Sequence, residues 1–201
     1  MTYGIIATCV ALFVIQMAVP SVWSAMVFVP VVAEAQPWRF LTAAFLHASI
    51  PHILFNMYAL YLVGPHLEKA LGVWRYVSMY ALSAIAGSVS VLLFASPDSQ
   101  SWFTQTVGAS GAVFGLFAAL ALTLRRVGSS ETQILVLIGI NLAIGFILPG
   151  ISWEAHVGGL IVGAVLGAAY LFAPREKRTL ISVLATAGVA IALLGLVALG
   201  I

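Results

Sequence analysis

Residues 153–173 read WEAHVGGLIVGAVLGAAYLFA, an apolar run close to the about 20 residues that a helix rising 1.5 Å per residue needs to cross a bilayer. Its interior holds one ionisable side chain, His156, and small residues recur at Gly159, Gly163 and Gly167. The four-residue spacing puts those glycines on one helix face, where they let another helix approach closely. Inside an apolar helix such a ladder is a packing device and not a nucleotide loop. A polar group at membrane depth is costly, so His156 is a functional candidate from the outset.

The rest of the chain repeats the pattern. Of 201 residues, 63% are hydrophobic and 7% charged, against about 25% charged in a soluble domain. Apolar runs stand at about 3–20, 50–66, 73–95, 108–124, 132–149, 153–173 and 179–200. The fold expected is therefore an all-α polytopic membrane protein with seven spans and no soluble domain. The longest connection, about 21–49, begins after Pro20 and holds Pro30 and Pro37; rich in Trp and Phe, it reads as an interfacial loop partly sunk in lipid. Ala33-Glu34-Ala35 resembles a signal-peptide cleavage site. It lies too far beyond the first run, which no basic residue precedes, for that run to be a signal peptide. The single cysteine, Cys9, allows no intrachain disulfide and reads as a packing residue. A net charge of +2 points to no nucleic-acid partner.

The positions of the charges orient the chain. Lys69 and Arg75 follow the second run, Arg125 and Arg126 the fourth, and Arg175, Lys177 and Arg178 the sixth. Basic residues in alternate connections mark the cytoplasmic side, which places the N-terminus inside and the C-terminus outside. Depth then becomes countable. Ser110 precedes Arg125 by 15 residues, His52 precedes Lys69 by 17 and His156 precedes Arg175 by 19, roughly 22–28 Å above the inner surface. Asn56 lies one turn below His52 on the same face.

Four polar groups thus share the outer half of the membrane, and their chemistry is complementary. Ser110, in Gly108-Ala109-Ser110-Gly111, opens the fourth span, where first-turn N–H groups lack intrahelical partners and can hold an anion. A serine needs a base within hydrogen-bond reach, and His156 is the candidate. Gly111 and Gly115 form a ladder on the fourth span to match that of the sixth. Glu154, two residues from His156, faces elsewhere on a helix, so the reading is a Ser-His dyad without a carboxylate. His52 and Asn56 are expected to donate, beside the Ser110 N–H, to a tetrahedral intermediate. That chemistry calls for no cofactor and no metal.

Taken in order, Trp38-Arg39, His52-x-x-x-Asn56, Gly64-x-x-x-Glu68-x-x-x-Gly72, Gly108-Ala-Ser110-Gly111 and Ala155-His156 with its glycines resemble the rhomboid family of intramembrane serine proteases. The resemblance implies a six-helix catalytic core, about residues 1–175, with 176–201 as an added seventh helix. It implies Ser110 as nucleophile, His156 as general base, and His52, Asn56 and the Ser110 N–H as the oxyanion hole, with Gly108, Gly111, Phe114, Arg39 and Glu68 supporting. Phe114 stands where tyrosine is common in the family; its ring can still pack against His156. The resemblance also implies transmembrane protein substrates that enter laterally near the second and fifth spans, are cut after a small residue, and lie under a cap at 149–152.

Other readings fare less well. His-Glu-x-x-His is absent and Asp98 is the only aspartate, which disfavours membrane metallo- and aspartyl proteases. A zinc site from His47, His52 and His156 is a conceivable alternative, although His47 and His66 read as interfacial residues. No inverted repeat marks a transporter. A non-catalytic, client-binding relative would be expected to lack the serine or the histidine, and both are present. The expected location is a bacterial plasma membrane, with the site toward the extracytoplasmic side.

Overall fold

A computed structural model describes residues 1–200 and forms a helix at each of the seven apolar runs. These are α1 (Thr2–Ala18), α4 (Ile50–Leu71), α5 (Val73–Phe94), α6 (Ser110–Arg126), α7 (Thr132–Ile147), α8 (Trp153–Phe172) and α9 (Arg178–Gly200). Two short helices, α2 (Pro20–Met26) and α3 (Arg39–Thr42), lie in the connection after α1. The helices α4, α5, α8 and α9 run for 22, 22, 20 and 23 residues. By contrast α1, α6 and α7 run for 17, 17 and 16, short of the about 20 that span a 30 Å hydrocarbon core upright.

The centre of the molecule is α6. Every residue from Gly111 to Ala119 is buried, the pattern of a helix enclosed on all sides. Its main neighbours are α8 and α5, which also pack on each other, and α4 closes a further side. The glycine ladders explain the closeness of α6 and α8: a side chain at Gly159 would overlap the Gly111 carbonyl, and one at Gly163 the backbone of Gly115. Peripheral helices bury far less. Only Ile134, Ile138 and Gly145 are buried on α7, and only Ser182 and Leu193 on α9, which lies against α5 and α8.

The connection expected as an interfacial loop is folded onto this core. Pro20 and Pro30 start short helical turns, positions at which a missing N–H leaves nothing unpaired. The Arg39 guanidinium then gathers the segment from within: it donates to the Gln36 side chain at 2.6 Å and to the carbonyls of Val27 and Ser24 at 2.5 Å each. Trp38 stays exposed and donates to the Ala25 carbonyl at 3.0 Å. A single antiparallel bridge joins Phe28 to Thr106, so the folded connection holds the strand-like approach to Ser110.

At the opposite end Glu68, near the close of α4, accepts from the Thr2 N–H and hydroxyl at 2.9 Å each and from the Met1 amino group at 2.6 Å. Those bonds satisfy the first turn of α1 and tie it to α4. They lie at the far end of α4 from His52, in keeping with a structural role for Glu68.

Candidate active site

Ser110 is the first residue of α6, and the chain reaches it through Gly108 at φ +126°, a backbone region that only glycine occupies without strain. The Gly108 N–H donates to the Ala43 carbonyl at 3.0 Å, anchoring the turn to the folded connection. A Cβ at Gly108 would sit 2.6 Å from His52 Nε2 and 3.8 Å from Ser110 Oγ. The glycine is therefore required twice, by its backbone angle and by the ring beside it.

From the other side of the seam, His156 Nε2 comes within 3.0 Å of Ser110 Oγ. The ring is buried, and Phe114 lies stacked along it with centroids 4.3 Å apart and planes inclined by 11°. Phe114 follows Ser110 by four residues, so one helix face presents both the hydroxyl and the wall against which the imidazole rests. His156 Nδ1 has no hydrogen-bond partner among the described residues and faces Gly145 of α7, where a Cβ would lie 3.5 Å away. Glu154 does not reach the ring and instead accepts from the Ser152 hydroxyl at 3.1 Å. The unit is a pair and not a triad.

His52 sits in the first turn of α4, where Ser49 caps the helix by accepting from the His52 N–H at 3.3 Å. Its Nδ1 accepts from the Ala48 N–H at 3.4 Å. An accepting Nδ1 leaves the neutral ring's proton on Nε2, the nitrogen beside Gly108. The second imidazole thus carries its donor at the Gly108 turn that leads into Ser110, while Nε2 of the first is positioned to accept from the Ser110 hydroxyl. Asn56, buried one turn along, gives one amide N–H to the His52 carbonyl at 2.9 Å and keeps the other.

His47 is fully buried within the protein, edge-on to the His52 ring at 5.1 Å between centroids, and both its ring nitrogens lack partners among the described residues. Gln16 of α1 clamps its backbone, donating to the His47 carbonyl at 2.6 Å. Its position five residues before His52 was the one available signal, since a loop has no periodicity to reveal burial. His66 is exposed. No group of three or more His, Cys, Asp or Glu side chains gathers at metal-binding spacing among the described residues. Above the pair, Trp153 stacks on Phe146 at 4.5 Å and meets Phe94 edge-on at 5.1 Å, beside the 149–152 connection.

Residues 34–175 match the family model described as the Rhomboid domain. Over 165 residues the chain is 37% identical to "Rhomboid protease GluP" of Bacillus subtilis (strain 168), covering 76% of this chain and 30% of that protein. It is 37% identical over 153 residues to "RHOMBOID-like protein 6, mitochondrial" of Arabidopsis thaliana, covering 73% and 48%. It is 34% identical over 152 residues to "Putative rhomboid protease YdcA" of the same Bacillus subtilis strain, covering 73% of each. The chain thus spans less than half the length of the first two relatives and about three quarters of the third.

Proposed function

Because this chain belongs to the rhomboid family, we propose that it is an intramembrane serine endopeptidase that hydrolyses peptide bonds in or near the transmembrane segments of other proteins. The observation that carries the reading is the 3.0 Å approach of His156 Nε2 to Ser110 Oγ at the start of a buried helix. Ser110 Oγ attacks the scissile carbonyl carbon as its proton passes to His156 Nε2. The carbonyl oxygen becomes an oxyanion held by the Ser110 N–H, the His52 Nε2–H and the free N–H of Asn56. His156 then returns the proton to the departing amine, leaving an acyl-serine. Water, deprotonated by the same imidazole, attacks the acyl carbon and releases the carboxylate product and the free hydroxyl.

The basic residues at Lys69 and Arg75, Arg125 and Arg126, and Arg175 to Arg178 support an orientation with the N-terminus and these turns cytoplasmic. Ser110 and His156 then face the extracytoplasmic side of a bacterial plasma membrane; recovery of the protein from an internal organelle membrane would count against that location. A substrate helix enters laterally between α4 and α7, where α7 is the least embedded wall of the site. Residues 1–175 form the catalytic unit in this reading, with α9 added to it.

The test is labelling of the purified protein in lipid with a fluorophosphonate probe, in which the serine oxygen displaces fluoride from phosphorus. Wild type is expected to label. Ser110→Ala and His156→Ala are each expected to lose labelling and cleavage of a transmembrane substrate by about 10⁴-fold or more. Equal labelling of all three, or none in folded wild type, would favour a non-catalytic protein that binds membrane clients.

A further inference from the structure

The end of the bundle away from Ser110 contains a cavity of about 210 Å³ where α4, α5, α6, α8 and α9 converge. Three arginines line it: Arg75 from the first turn of α5, Arg126 at the end of α6 and Arg178 at the start of α9. No carboxylate lines it, and none of the three is in an ion pair among the described residues. Three guanidinium groups around one cavity repel one another in a medium that screens poorly, so the arrangement lacks a counter-charge.

The groups are also positioned to receive one. Arg75 is fixed from behind, with Nε donating to Ser182 Oγ at 2.9 Å, Nη1 to the Leu71 carbonyl at 3.3 Å, and its guanidinium 4.6 Å above the Trp74 ring. Its Nη2 remains available. Arg178 Nε is buried and has no partner among the described residues, a donor whose bonding capacity is unfilled. Beside the cavity, Val127 and Phe172 expose apolar side chains, the surroundings an acyl chain would meet.

We propose that this cavity binds a phosphate anion, held by the guanidinium groups of Arg75, Arg126 and Arg178. Planar guanidinium forks match paired phosphate oxygens, and basic pockets between membrane helices on the cytoplasmic side suit anionic headgroups. The phosphate is that of an anionic phospholipid or of a free phosphate. Arg75 and Arg126 lie within the stretch matched by the family model, whereas Arg178, and Ser182 behind Arg75, come from α9. The seventh helix therefore completes the site.

The experiment uses the full chain in phosphatidylcholine nanodiscs. One arm measures, by electron paramagnetic resonance, the immobilised fraction of spin-labelled phosphatidylglycerol against spin-labelled phosphatidylcholine. The other follows broadening of the phosphorus resonance of inorganic phosphate. Wild type should select phosphatidylglycerol, and the selection should fall about fivefold for each arginine lost in Arg126→Gln and Arg178→Gln. Arg125→Gln, an exposed neighbour outside the cavity, should leave it unchanged. Arg126→Lys with Arg178→Lys, which keeps charge and fold but loses the forks, should fall in between. Phosphate broadening without lipid selection, removed by the glutamine variants, would identify a free phosphate as the ligand. Binding of neither probe by wild type, or binding undiminished in glutamine variants that melt like wild type, would overturn the proposal.

Discussion

Phe114 fixes one side of the His156 ring. With the ring stacked at 4.3 Å on His156, the imidazole cannot swing away from Ser110 without giving up that contact. Phe114→Ala should lower stability by about 3–5 kcal/mol, and a small displacement of the imidazole should cut cleavage by about 10²-fold; Phe114→Tyr should preserve both. A thermal melt and a substrate-cleavage rate on each variant decide this. A similar argument applies to His47, whose buried ring braces His52 through its edge while its nitrogens bond to nothing described. If that ring acts by shape, His47→Phe should cost under about 1.5 kcal/mol and His47→Ala about 2–5, read as unfolding in detergent. A phenylalanine variant as damaged as the alanine one would show that the nitrogens matter. The closeness of Ser110 and His156 was anticipated in the sequence because each is a polar side chain at membrane depth on a span with a glycine ladder, where polarity has few structural excuses. Burial of His47 was not, because it depends on how a loop folds back.

Among the elements, α6 and α8 set the geometry of the pair. Gly111, Gly115, Gly159 and Gly163 announce a close crossing in the sequence, since small residues four apart line a helix face. Which helix fills that face follows only from the folded chain. Gly159→Ala should force the two backbones apart and remove Ser110 from His156; fluorophosphonate labelling should fall by about 10²-fold or more. Gly188→Ala offers the contrast, because nothing lies within 4 Å of a Cβ there, and α9 should become more stable by up to about 1 kcal/mol. Equal effects of the two alanines on labelling would refute the role of the seam. The connection after α1 was the least legible element. Its prolines and aromatic residues fit an interfacial segment, but the three-way grip of Arg39 joins residues 3 to 15 positions apart, and no periodic pattern records such bonds.

For the whole molecule, topology is the property most directly written in the sequence and most directly measured. Cys9 is fully buried, so single cysteines introduced elsewhere can be labelled with little background. In intact cells, Asp98→Cys should react with a membrane-impermeant maleimide and Ser129→Cys should react only after permeabilisation; the reverse result would invert the proposed orientation. The count of helices followed from apolar run length, whereas the distinction between an enclosed α6 and a lightly held α7 did not, because the middle of each is apolar and packing separates them. The seam between α6 and α8 has one more consequence. With backbone resting on backbone, the spacing of nucleophile and base is gauged by a hard stop that contains no compressible side chain and little void. Under the proposed function, changes in bilayer thickness or lateral pressure tilt the peripheral helices and alter which segments gain entry, and have little purchase on the Ser110–His156 spacing: control by the membrane is exerted at the door.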